Sequence, residues 1–142
     1  MFNLLEKNNK KIVNLINLKG GNAVTLSSIE SSTITATRFT EEYDLGYVGR
    51  IEKVEVPIVE NLLKENFIVV VSPVGKDDKG QMYNINADIF AAQLAQSLEA
   101  QRLIYLTTVN GILRNTEDPN STIKEIEIDS PSAIPEPCDN SI

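Results

Sequence analysis

Histidine is missing altogether from this chain of 142 residues, and cysteine occurs once, as Cys138. Without an imidazole there is no histidine general base and no Cys/His zinc site, and a lone thiol cannot close an internal disulfide. Any chemistry must run on carboxylates, amides, hydroxyls, lysines and backbone N–H groups. Positive charge is scarce as well: 13 basic residues against 20 acidic ones leave a net charge of -7. A surface of that sign repels phosphate backbones, and no basic stripe interrupts it, which argues against nucleic acid as a partner. Long apolar runs are lacking too. No segment approaches the roughly 20 apolar residues of a membrane span, and MFNLLEKNNKKIVNL has no uninterrupted apolar stretch of the signal-peptide kind. The expectation is a cytoplasmic protein with no membrane partner. The triplet Asn120-Ser121-Thr122 matches a glycosylation sequon, but such triplets arise by chance and nothing else indicates secretion.

What is present suits a globular domain, with 42% hydrophobic and 23% charged residues. Between Leu4 and Leu18, Leu5, Ile12, Leu15 and Ile16 recur near helical spacing until Gly20-Gly21 breaks the pattern. Short strands are predicted at Ala23–Leu26, Thr33–Thr37 and Gly46–Ile51, and a helix over Pro57–Asn66 with a first-turn proline. Phe67–Val71 is a continuous apolar run, as expected of a strand buried on both faces of a parallel sheet. GKDDKGQMY predicts a hairpin or tight loop, followed by a helix through Ala91, Leu94, Ala95 and Leu98 and a second buried strand at Leu103–Leu106. Strand, loop, helix and strand together make a right-handed crossover in an α/β sheet. Beyond Pro119 apolar periodicity fades and prolines concentrate, so residues 119–142 read as an irregular, disordered tail.

The stretch GQMYNINADIF, residues 80–90, sets Asn84, Asn86 and Asp88 at every second position ahead of a helix. Two readings stand side by side. Asn86 and Asp88 can serve the free N–H groups and the dipole of a helix's first turn. Alternatively, the end of a strand in an open α/β sheet is where ligands bind, and an extended Met82–Asn86 turns Asn84 and Asn86 to one side.

PVG, GQMYNINAD, an Ala/Leu-rich helix and LIYLTTVNGIL follow one another in an order that resembles the amino-acid kinase family, and within it the acetylglutamate kinases. Upstream, LKGGNAVTLS, DLGYVGRIEKV and ENLLKENFIVVVSPVG extend the resemblance over roughly residues 5–128. It implies a three-layer αβα sandwich with a mainly parallel sheet, and a partial kinase domain over residues 1–118. It further implies phosphorylation of the γ-carboxylate of N-acetyl-L-glutamate by ATP with Mg2+. Asn84 matches the family asparagine that donates its amide to the substrate's α-carboxylate, and Asp88 the aspartate that orients catalytic lysines. Thr108, Val109, Asn110, Gly111, Ile112 and Leu113 match the nucleotide-binding turn.

Three departures accompany the match. Thr108 stands where the family turn usually has aspartate, and Thr25 replaces the first glycine of a block that usually reads GLSG. The family's first strand, with its glycine-rich turn and lysine, has no counterpart here, and none of the nine lysines occupies a position of the catalytic pair. Loss of such electrostatic stabilisers costs orders of magnitude in rate. The expectation is therefore a kinase domain truncated at both ends and inactive in isolation, which associates with itself or with a complementing kinase chain. The alternative is a non-catalytic remnant that binds acetylglutamate, nucleotide or a kinase subunit.

Overall fold

The structure is a computed structural model and describes residues 2–26, 33–39, 45–108, 111–115, 117–118 and 120–126. The chain divides into two compact units, Met1–Leu103 and Ile104–Ile142. All regular elements among the described residues lie in the first: α1 (Phe2–Leu18), β1 (Ala23–Leu26), β2 (Ile34–Arg38), β3 (Gly49–Val54), α2 (Pro57–Lys64), β4 (Ile68–Val71), β5 (Val74–Lys76), β6 (Met82–Asn84) and α3 (Ala87–Ser97).

Helix α1 stops where the glycine pair predicts. Gly20 takes a left-handed φ of 84°, and the Gly21 N–H returns to the Ile16 carbonyl at 3.0 Å, satisfying one of the carbonyls a helix end leaves open. A side chain on Gly21 would collide with Ile16. Asn17 then spans the turn, accepting from the Ala23 N–H at 2.7 Å and donating to the Ala23 carbonyl at 3.0 Å. These two bonds give both backbone polar groups of Ala23 a partner at the start of β1. Deeper in the same helix, buried Asn9 donates to the Ser72 hydroxyl at 2.8 Å, fixing α1 against the end of β4. Two parallel strands, β1 and β4, form the smaller sheet, paired from Ala23 with Ile68 to Leu26 with Val71.

The larger sheet has the order β3-β2-β5-β6. β2 and β3 are antiparallel, with a register shift between Thr35 and Ala36, whereas β2 meets β5 in parallel. β5 and β6 make the hairpin expected from GKDDKGQMY. Ile34, Ala36, Ile51, Tyr83, Ile85 and Phe90 form the core between this sheet and α3, with Val54, Val71 and Leu94 packed against them. Gly75 lies in its tightest part: an added Cβ would stand 2.6 Å from Ala36 Cβ, 3.0 Å from Ile34 Cγ2 and 3.1 Å from Ile85 Cδ1. Parallel pairs, mixed sheets and packed helices agree with the α/β class expected from the sequence.

Two strand expectations need correction. Phe67–Val71 is not a strand buried on both faces: β4 begins at Ile68, which is 49% exposed, and its other residues are only half-buried. Burying both faces of a strand takes layers packed on the two sides of its sheet, and α1 and α2, which pack against β4, leave it only partly covered. Leu103–Leu106 forms no strand at all, and Leu106 is 97% exposed. Its run of apolar residues satisfies the local pattern, but a strand also needs a neighbour to bond, and no described strand pairs with it. The crossover expected from residues 68–106 therefore lacks its closing strand. Most of the tail expected over 119–142 lies outside the described residues.

Candidate functional site

The candidate site is built on the β5–β6 hairpin and the start of α3. Asp77 organises the hairpin turn. Its Oδ1 accepts from the N–H groups of Lys79 at 2.9 Å and Gln81 at 2.8 Å, and its Oδ2 accepts from the Tyr83 hydroxyl at 3.1 Å. Gly80 supplies the left-handed residue the turn requires, at φ 80°. Burial pushes the Asp77 carboxyl up, but the hydrogen bonds from Gln81, Tyr83 and Lys79 and the Lys79 charge outweigh it and hold the carboxyl below its ordinary value. Burial and the adjoining Asp77 carboxylate push the Tyr83 hydroxyl above its own.

Beyond the turn the chain is extended, and alternation decides what faces where. Tyr83 and Ile85 enter the core, whereas Asn84 is half-buried and Asn86 exposed. The Asn84 backbone is held on both sides. It pairs with Val74 of β5, and its N–H donates outward to the Tyr47 carbonyl at 2.8 Å. Its carboxamide makes no hydrogen bond to another described residue. Asn86 does the opposite work: it is the N-cap of α3, its side chain accepting from the N–H groups of Asp88 at 3.0 Å and Ile89 at 3.1 Å. Asp88 follows in the first turn, exposed, where a carboxylate complements the helix dipole. The two readings of NINAD thus fall on different residues: helix-start chemistry accounts for Asn86 and suits Asp88, but not Asn84.

An apolar pocket of about 150 Å3 adjoins the cap, lined by Phe39, Val48, Ile51, Ile85, Asn86 and Ile89 among others. Nothing in the sequence pattern points to it, because its walls come from Phe39 after β2, from residues 48–51 at the start of β3, and from residues 85–89 around the start of α3. The turn at Thr108–Leu113 belongs to the second unit. Thr108 is exposed, Val109 and Asn110 lie outside the described residues, and Gly111 has φ 137° with Thr122 Cγ2 3.2 Å from where a Cβ would be. Leu113 bridges Thr122, and the Ile123 N–H donates to the Ile112 carbonyl at 2.8 Å, closing a hairpin-like turn. Among the described residues no group of three or more His, Cys, Asp or Glu could hold a metal ion, and no helix is long and apolar enough to cross a membrane.

Comparison with known proteins agrees with this framework. The profile of the amino acid kinase family matches residues 4–136. The acetylglutamate kinase of Clostridium acetobutylicum is 44% identical over 127 residues, which cover 86% of this chain and 43% of that protein. The chloroplastic acetylglutamate kinase of Arabidopsis thaliana is 46% identical over 125 residues, covering 88% of this chain and 36% of its own length. Among solved structures, smu.665 from Streptococcus mutans superposes with a TM-score of 0.68 at 29% identity, over 75% of this chain and 43% of the other. The chain thus spans less than half the length of the kinases it matches.

Proposed function

Because the chain belongs to the amino acid kinase family, we propose that it provides the acceptor-binding part of an acetylglutamate kinase site. The observation that supports this reading most directly is Asn84: its backbone is bonded from two sides while its carboxamide has no described hydrogen-bond partner. A side chain presented in this way can donate to a carboxylate without first breaking a bond of its own. Asn84 would bind the α-carboxylate of N-acetyl-L-glutamate, and Asp88 would orient lysines rather than remove a proton. In the reaction, an oxygen of the ionised γ-carboxylate forms a bond to the γ-phosphorus of ATP. The bond from that phosphorus to the β–γ bridging oxygen breaks, and its electron pair leaves on ADP. No acceptor proton has to move, so a chain without histidine suits the chemistry. The described carboxylates give Mg2+ no ligand set of their own. The nucleotide would lie against the turn at Thr108–Leu113.

Neither the lysine pair nor the remaining parts of the family site are present in these residues, so we assign the chain alone no turnover. Association with a second copy or with a complementing kinase chain is part of the proposal. Exposed Leu15, Leu18 and Ile68 on α1 and β4 support it, since parallel strands are normally covered on both faces. Binding without catalysis is the second reading, favoured by the same missing lysines.

Trapping acyl phosphate with hydroxylamine, in the presence of Mg-ATP and N-acetyl-L-glutamate, tests the catalytic half; no product is expected from the isolated chain. Calorimetric titration with N-acetyl-L-glutamate tests the binding half. Asn84→Ala should weaken binding, and an unchanged isotherm would remove Asn84 from the site.

A further inference from the structure

Strand β6 has little length with which to fix its own orientation. It comprises three residues, Met82–Asn84, and stands last in the sheet order β3-β2-β5-β6. Register pairs tie it to β5 on one side, and on the other the bridge to Val48 and the bond to the Tyr47 carbonyl both fall on Asn84. Such main-chain bonds set where a strand runs, but paired strands in general differ in twist over a range of about 25°. Successive side chains leave a strand on opposite faces, so rotation about its axis swings residues 83 and 84 together. Whatever arrests Tyr83 therefore arrests the direction in which Asn84 points.

Tyr83 is arrested at both ends. At its base it packs on Gly49, where an added Cβ would collide with the Cβ of Tyr83. Its ring is 7% exposed, in the core with Ile34, Ala36, Ile51, Ile85 and Phe90. At its tip the hydroxyl donates to Asp77 Oδ2 at 3.1 Å. Asp77 is held in its turn: Oδ1 takes the Lys79 and Gln81 N–H groups, its own N–H donates to the Gln81 carbonyl at 3.0 Å, and its carbonyl accepts from the Gly80 N–H at 3.0 Å. One carboxylate thus joins the closed turn at the tip of the hairpin to the residue beside Asn84.

We infer that Asp77 is a positioning residue for Asn84: by holding the Tyr83 hydroxyl it fixes the rotation of β6, and with it the direction in which Asn84 presents its carboxamide. This role rests on Asn84 binding the acceptor's α-carboxylate, as proposed above, and gives Asp77 itself no contact with substrate. A role confined to stabilising the turn would lower Tm and leave the affinity below the melting range untouched.

Calorimetric and NMR titration of the full chain with N-acetyl-L-glutamate, below the melting range of every variant, tests this. Asp77→Ala and Tyr83→Phe should each weaken binding about three- to tenfold, the equivalent of one hydrogen bond, and the double variant should lose no more than the worse single one. Asp77→Asn keeps an acceptor oxygen and should fall between Asp77→Ala and the parent. Added to Asn84→Ala, Asp77→Ala should cost nothing further, because it acts through that side chain. Val59→Ala, buried in α2, should lower Tm without moving the affinity. Unchanged affinity in Tyr83→Phe, whose ring stays in the core, overturns the role of Asp77, while weakened binding in Asn84→Ala still upholds the carboxylate reading. Unchanged affinity in Asn84→Ala overturns both together. A full further loss from Asp77→Ala in the Asn84→Ala background, or weakened binding in Val59→Ala, means that the effect does not run through Asn84 and overturns the positioning role as well.

Discussion

Exchanging the two asparagines of NINAD separately should divide stability from binding. Asn86 accepts two N–H groups of the first turn of α3, at 3.0 and 3.1 Å, and it is exposed. In Asn86→Ala those donors turn to water rather than becoming buried and unsatisfied. The cost is then that of a lost cap, about 1 kcal/mol within a range of about 0.5–2. For a domain of this size that corresponds to roughly 3–6 °C in Tm. Asn86→Ser or Asn86→Asp should restore most of the loss, and Asn86→Gly should cost only a few tenths of a kcal/mol. Asn84 contributes no side-chain bond to a described residue, so Asn84→Ala should stay within about 0.5 kcal/mol of the parent. Its binding of N-acetyl-L-glutamate should fall by about 10- to 100-fold, the equivalent of one hydrogen bond to a charged group. Circular-dichroism melting of both variants, paired with calorimetric titration, reads the two effects independently. A large loss of Tm in Asn84→Ala, or loss of affinity without loss of Tm in Asn86→Ala, would refute the division of roles.

Gly75→Ala should destabilise by about 1–3 kcal/mol, seen as a lower urea midpoint, because the new methyl would stand 2.6 Å from the Cβ of Ala36, which has no rotamer with which to move aside. Asp77 has a depressed folded pKa, so its contribution is present above the unfolded value and disappears as pH falls through the folded one. Stability measured against pH should therefore show a shallower acid limb in Asp77→Asn than in the parent. The Tyr83 shift has the opposite sign: its contribution is present below the unfolded pKa and is lost as pH rises through the folded value, and Tyr83→Phe should remove that alkaline loss.

Local chemistry was legible and long-range pairing was not. Gly20-Gly21, Pro57 and Gly80 announce their turns and helix ends because the relevant forces act within a few residues. Asn86 shows its capping role for the same reason: donor and acceptor are two and three residues apart. Ala23–Leu26 was recognisable as a strand, but nothing local said that it would pair with Ile68–Val71. LIYL fails in the reverse direction, since its composition fits a buried strand whose partner the sequence cannot supply. Asp77 reads as a turn residue in GKDDKG, yet its bond to Tyr83 depends on the hairpin closing first. Asn84 stood out only because helix-start chemistry left it over.

The double tether of Asn84 has a consequence for how this position can change. Its main chain is held by β5 on one side and by the Tyr47 carbonyl on the other, and neither bond involves its own side chain. Residue 84 is therefore a socket whose placement outlasts its occupant. Replacing asparagine with serine, glutamine or a cationic residue alters what is offered to a ligand but leaves where it is offered untouched. Under the role proposed for Asn84, new acceptor preferences would be open to sampling there one substitution at a time, with the backbone that presents them held by bonds the side chain does not make.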